Sequence, residues 1–447
     1  MSIAEHRVKL KNPKTMFGLR FLPILAGFSL VLASPMHAAD EELPNEIATN
    51  LSTLGRKPDW GELEKYQSTI THDEFAHLVH DVYCAHGFSE ELIQIDPDEA
   101  RILRWKGSQD YFALHFAKSD AERLPIDRTW TAPSARAKAD LKKPLDGFNI
   151  ALDPGHLGGA WAKMEERWFQ IKKAPPVQEG DMTLKVAQIL APKLESLGAK
   201  VSFVRSAAEP LTPYRPSDFR EIACQFLERA GITEPREDFS GPSDPQKEKT
   251  VRWQEELLFY RNSEIRRRAS QVNYRSQPDL VLCLHFNAEP WGDPAKPRLV
   301  PNDHLHLLVN GSYLPVELDL DDERCEMLHK LLSGAYPEEL DLAESIALTM
   351  AKATGLPAYK YKTENVTPVG ASGYVYARNL MATRLYRCPT VYLEPYVMNS
   401  REVFARVQAG DYDGLRKVAG KKRPSIYREY ANSVVYGLVG YFKKTRP

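Results

Sequence analysis

Four short apolar runs, each closing on a polar or ionisable stretch, constrain the fold of this chain more than any other feature. Phe148 to Asp153, Lys200 to Arg205, Asp279 to Phe286 and Thr390 to Glu394 are rich in Val, Leu, Ile or Phe. Leu280 to Leu284 is almost uninterruptedly apolar, as a strand covered on both faces must be. Between the first two runs, Val186, Ile189, Leu190 and Leu197 recur near helical spacing until Gly198 closes the element, and Pro192 predicts a kink. Further amphipathic stretches run through Asp341 to Thr354 and Ile426 to Phe442. This alternation predicts an α/β fold: a mostly parallel, twisted sheet with helices on both faces.

That rhythm starts only after a boundary. From Asp40 to about Leu145 a helical pattern (His72 to Cys84) alternates with a strand-like run (Tyr111 to Phe116), which predicts a small N-terminal mixed α+β domain over 40–145. The polar stretch ending Lys142 Lys143 Pro144 reads as a linker, and the second domain is expected over 146–447. The first domain reads equally as a targeting or wall-binding module and as a body packed on the second. Two segments near 207–249 and 289–339, rich in Pro, Asp, Glu and Lys, read as insertions of the kind that make lids and binding loops. In the second, the stretch around Leu318 to Leu340, with its acidic run from Asp319 to Glu323 and a helix-like part, is a candidate cover over the active cleft, and His304 and His306 alternate on a strand so as to share one side.

The first 39 residues have the profile of a secretory signal. Arg7, Lys9, Lys11, Lys14 and Arg20 precede an apolar stretch from Phe21 to Ala33 too short to span a membrane comfortably, and Ala38 and Ala39 offer a cleavage point. The expected location is therefore outside the cytoplasm, in the periplasm or cell envelope, with no membrane span after signal removal; a retained anchor is the other reading. A formal net charge of -1 provides no basic field for a phosphate backbone, so nucleic acid is not an expected partner. Five scattered cysteines without a C-x-x-C pair give no zinc-finger signal and leave room for one or two disulfides with an odd thiol over.

In open α/β sheets, ligands bind beyond the carboxyl ends of the strands. Read to its end, each run places an ionisable group there: His156 after the first, His285 after the third and Glu394 at the end of the fourth. Glu179 sits at the mouth of the intervening helix. His156, Glu179 and His285 form a standard catalytic Zn2+ set with a fourth position for water, and Glu394 remains to move protons. Asn287, Arg205, Arg378 and His306 are candidates for orienting substrate.

The same residues resemble a family, the zinc-dependent N-acetylmuramoyl-L-alanine amidases of the amidase-3 type. Ile150 Ala Leu Asp Pro Gly His Leu Gly Gly is similar to the family's strand and D-P-G-H-G-G, and Glu179 matches its glutamate ligand before a helix. Gly198 to Arg205 resembles its G-x-x-V-x-x-x-R segment, and Pro278 to Ala288 its strand followed by S-I-H-x-N-A. Cys388 Pro Thr Val Tyr Leu Glu Pro Tyr Val Met Asn resembles the block carrying its catalytic glutamate. Leu157, Leu284 and Pro395 Tyr396 depart from the pattern. The resemblance implies hydrolysis of the amide between N-acetylmuramic acid and L-alanine, with peptidoglycan as substrate and an activator protein among the partners it allows. The alternatives are an exported zinc peptidase or deacetylase, and a catalytically silent wall-binding protein.

Overall fold

The computed structural model describes residues 43–446, except 45, 139 and 141. The segment read as an export signal lies outside the described residues. In chain order, β1 (Ile93–Ile95), β2 (Glu99–Leu103) and β3 (Tyr111–His115) form a small antiparallel sheet. There follow β4 (Asn149–Pro154), α1 (Glu179–Ser196), β5 (Lys200–Phe203), α2 (Glu264–Ser270) and β6 (Leu280–Leu284). Next come β7 (Leu305–Val309), α3 (Asp321–Leu332), α4 (Ala335–Thr354), β8 (Thr367–Pro368) and β9 (Val375–Ala377). Last are α5 (Met381–Leu385), β10 (Thr390–Pro395) and α6 (Ile426–Thr445).

The main sheet has the order β8-β9-β7-β10-β6-β4-β5. All four apolar runs are neighbours in it: β5, β4, β6 and β10 are mutually parallel, as a run buried on both faces requires. One reversal interrupts them, since β7 is antiparallel to β10, after which β9 runs parallel to β7 and β8 closes the edge antiparallel. The reversed strand comes from the segment 289–339, which therefore contributes a central strand and helix α3 as well as loop. Every residue of β7 is buried, and it is the strand on which the alternation of His304 and His306 was expected, with His304 one residue before its start.

One sheet face packs Ile150, Leu152, Leu282, Leu284, Leu307 and Leu393 against α1, α4 and α6. Helices α4 and α6 meet at Gly437, where an added Cβ would lie 2.6 Å from the Cα of Ile346. Full burial of each such Leu or Ile contributes about 1.5–3 kcal/mol. The other face carries Ala151, Val281 and Cys283 against Ala269 of α2, Ala382 of α5 and Tyr386. Its far part is left for the loop around residues 357–366.

The described residues form one compact unit. Trp60, Phe75, Tyr83 and Phe112 belong to the same apolar cluster as Leu328 and Leu331 of α3. The acidic run expected as a cover over the cleft is instead docked on the part of the chain before residue 145: Asp319 pairs with Lys106 Nζ at 2.7 Å, and Asp322 accepts from the amide of Ser52 at 2.8 Å. Asp321 accepts from the amide of Lys106 and from Arg324. Carboxylates leaving water need such donors, and these are where the run finds them. All five cysteines are free thiols, four of them buried, and Cys84 packs its sulfur against that of Met327. No helix among the described residues is long and apolar enough to cross a membrane.

Candidate active site

Strands β4, β6 and β10 are consecutive in the sheet, and neighbouring strands lie about 4.8 Å apart, so groups at their carboxyl ends fall within side-chain reach of one another. β4 delivers His156, β6 delivers His285 one residue past its end, and β10 carries Glu394. Glu179 is the first residue of α1.

The loop bearing His156 is clamped from beneath by two buried arginines. Arg268 donates to Asp153 Oδ1 and to the carbonyl of Pro154, both at 2.9 Å, and to the carbonyl of His156 at 3.3 Å. Arg205 donates to the carbonyls of Pro154 and Gly155 and, at 3.0 Å, to that of Gly180 in the first turn of α1. His156 itself is left-handed, φ 57°, a conformation that costs a non-glycine residue free energy and that the clamp holds in place. Gly155 has a steric role: a Cβ there would sit 2.0 Å from Cε1 of His285.

His156, Glu179 and His285 converge with one ligand atom each inside 4.8 Å of the others. His156 Nε2 is 3.6 Å from Glu179 Oε2, and His285 Nδ1 is 3.2 Å from Glu179 Oε1. Buried Glu165 accepts from His156 Nδ1 at 2.8 Å, while Arg167 Nε donates to His156 Nε2 at 3.2 Å. Together these contacts put the imidazole proton on Nδ1 and the lone pair on Nε2, facing the other two residues. His285 stacks on Tyr392, centroids 4.0 Å apart, and Tyr430 Oη donates to its carbonyl. Burial alone would raise the pKa of Glu179, but His156, the hydrogen bond from His285 and Arg167 outweigh it and hold the group at about 2. An ionised carboxylate and two oriented imidazoles are the donor set that a divalent metal such as zinc takes, so the residues fit the ion.

Burial, then the negative charge of Glu179, pushes Glu394 up to about 8, against the pull of Arg167, His156 and Arg378. Two carboxyl groups of one site are thus driven apart in acidity, one fixed as an anion and one poised to exchange a proton near neutral pH.

Of the four groups expected to form the centre, His156, Glu179 and His285 converge, and Glu394 lies close enough to respond to the charges of Glu179 and His156. Of the candidate substrate residues, Arg205 is 1% exposed and donates only inward, so it braces the site and cannot meet a ligand arriving from solvent. His306 is the cross-strand partner of Glu394, and its ring lies 2.8 Å from Tyr361 Oη. Burial, then His304 and Arg378, lowers its pKa to about 3, so the imidazole is neutral. Asn287 bridges the end of β6 to His306 Nδ1 at 3.5 Å. Arg378 follows β9 on the same floor, its guanidinium 5.8 Å from the centroid of Tyr361. Glu165 and Arg167 were not foreseen; they lie in a polar stretch whose spacing carries no signal. Tyr392, two residues before Glu394 on β10, shares its face of the sheet.

No family model matches the chain, and no curated relative matches it. Among solved structures, the chain is similar to the N-acetylmuramyl-L-alanine amidase Ami1 from Mycobacterium smegmatis, with a TM-score of 0.36 and 15% identity over 67% of this chain and 99% of that one. It is also similar to the CwlD amidase from Clostridioides difficile in complex with the GerS lipoprotein, with a TM-score of 0.36 and 12% identity over 67% of this chain and 100% of that one. A third is the N-acetylmuramoyl-L-alanine amidase AmiC2 of Nostoc punctiforme, with a TM-score of 0.34 and 15% identity over 67% of this chain and 99% of that one. Likeness at these scores carries no functional argument.

Proposed function

We propose that the chain hydrolyses the amide joining N-acetylmuramic acid to L-alanine in peptidoglycan, using a zinc ion held by His156, Glu179 and His285 and a proton relay at Glu394. The observation that carries the reading is the convergence of two oriented imidazoles and an ionised carboxylate beside a second carboxyl raised to about 8. When bound, the ion would act as a Lewis acid toward the carbonyl and lower the pKa of water toward about 7. The protein's own groups account for the rest. An amide nitrogen leaves poorly as an anion, so Glu394 takes a proton from attacking water and returns it to that nitrogen, a task suited to a carboxyl titrating near the working pH. Glu165 keeps the tautomer of His156, and Tyr392 holds the plane of His285. Arg167, 3.7 Å from Glu179, favours the ionised form of Glu394. The same reading places the enzyme outside the cytoplasm with its polymer, for wall remodelling or cell separation, and an activator protein belongs with it.

The test is product analysis on purified sacculi. Cleavage should release peptides with a free alanine amine and glycan with free lactyl carboxyl groups. Glu394→Gln should lower the rate by about 10²–10⁴-fold with the metal content unchanged. Peptides released by cleavage between amino acids would replace the reading with a peptidase, release of acetate with a deacetylase, and binding of sacculi by metal-loaded protein without any product with a silent wall-binding protein.

A further inference from the structure

Of the buried arginines, Arg268, Arg324, Arg384 and Arg406 each meet a carboxylate within 3.0 Å, and Arg205 is satisfied by backbone carbonyls. Arg378 is different. Among the described residues no carboxylate lies within 4.0 Å of it, and its buried Nε has no hydrogen-bond partner. A guanidinium partly withdrawn from water without an anion is costly, so one that persists on the wall of a cleft is a site for an anion that arrives.

Strand register shows where that anion would lie. Tyr376 of β9 is in register with Leu308 of β7, and Leu308 with Tyr392 of β10. Side chains alternate along strands, so Tyr392 and Glu394, then His306 and Leu308, then Tyr376 and Arg378 occupy one face of the sheet. Tyr361 lies over this strip, packed with Leu308, Tyr376 and Tyr392, and joins His306 at its Oη to Arg378 at its ring. The half-buried Tyr359 flanks it, 4.3 Å from the ring of His304. The strip runs continuously from the proton relay to the uncommitted cation. β9 is two strands from β10, about 10 Å across the sheet, which is roughly three residues of extended peptide.

We propose that Arg378 anchors the peptide portion of the substrate by binding a carboxylate of an acidic peptide, two to three residues from the amide that is cut, with Tyr361 and Tyr359 walling that subsite. The proposal rests on the reading that the scissile amide sits at Glu394. It makes the enzyme selective for a peptide with a free acid over one whose acid is capped as carboxamide, because an amide cannot accept the paired, charge-assisted bonds that a carboxylate takes from a guanidinium.

The test is calorimetric titration of the full chain with an acidic tripeptide beginning with alanine and with the same peptide carrying a carboxamide in place of each free acid. The acid should bind about tenfold tighter than the amide. Arg378→Ala should remove that preference by weakening the acid alone, and Arg378→Lys should restore part of it through charge without the planar fork. If Arg378→Ala fails to fold, Arg378→Gln, which keeps most of the side chain, reads the same preference. Equal affinities for the two peptides in the wild type, absence of binding by both, or an Arg378 variant that keeps the preference would overturn the proposal. Because binding is read without turnover, an acid preference lost in the variant would stand even if sacculi were not cleaved. A cleaving enzyme with no acid preference would keep the amidase reading and lose this one.

Discussion

Asp153 and Glu394 are both carboxyl groups on the main sheet, on strands separated only by β6, yet folding treats them differently. Asp153 accepts from Arg268 at 2.9 Å and from Tyr386 Oη at 2.6 Å, and it is 3% exposed. Glu394 has no side-chain hydrogen bond among the described residues, and burial with the nearby Glu179 charge raises it to about 8. The first is an anion whose partners are built into the fold, and they tie β4 to α2 and to the segment before β10. The second is left without partners at the place where strand ends open to solvent. A charge buried and satisfied by the fold maintains architecture, whereas a half-buried one left unsatisfied beside a group of the same sign is available for chemistry.

The sharpest way to break this contrast is on the structural side. Arg268→Met should remove the cation from Asp153 and Glu264 together and leave two buried anions, at a cost of about 3–5 kcal/mol. Urea unfolding measures it; a loss below about 1 kcal/mol would show that Asp153 does not depend on its partner and would erase the distinction from Glu394. Next in size is Glu165→Gln, which keeps shape but replaces the carboxylate that accepts from His156 Nδ1. Metal affinity, read by competition with a chelator, should fall by about 10–100-fold. An unchanged affinity would mean that the clamp formed by Arg268 and Arg205 suffices to orient the ring.

The rim on which Glu394 lies was legible in the sequence, for a physical reason, although the partners of Asp153 were not. Parallel strands buried on both faces must be continuous apolar runs, so β4, β6 and β10 declared themselves, and the polar groups at their ends had only one rim on which to lie. The second half of the floor was less legible. β7 was read only as a strand bearing two histidines, inside a segment taken for an insertion, and β9 is three residues long, so its run does not rise above its polar context. Arg205 stood among the substrate candidates because an arginine at a strand end looks alike whether it faces solvent or turns back toward the carbonyls of the neighbouring loop after β4. Glu165 and Arg167 were invisible, since their position over His156 depends on how the loop between β4 and α1 folds back, which no periodicity encodes.

Arg167 offers the smallest expected effect and the finest test of how Glu394 is held apart from Asp153. Its guanidinium is among the charges that pull the acidity of Glu394 back toward the ionised form, opposing burial and Glu179. Removing that positive charge disfavours the anion, so the pKa of Glu394 rises further. If the ionised carboxylate must accept the proton of water, the acid limb of the profile of kcat/KM against pH reports that pKa in the free enzyme. Arg167→Ala should therefore displace the limb toward higher pH and leave the plateau reached at alkaline pH much less affected, and Arg167→Lys should return it most of the way. Because Arg167 also donates to His156, metal content must be equal in the variants being compared. A limb that stays in place, or moves toward lower pH, would mean that the group titrating there is not the carboxyl beside Arg167, and the separation of Glu394 from the fixed anions of the sheet would need another cause.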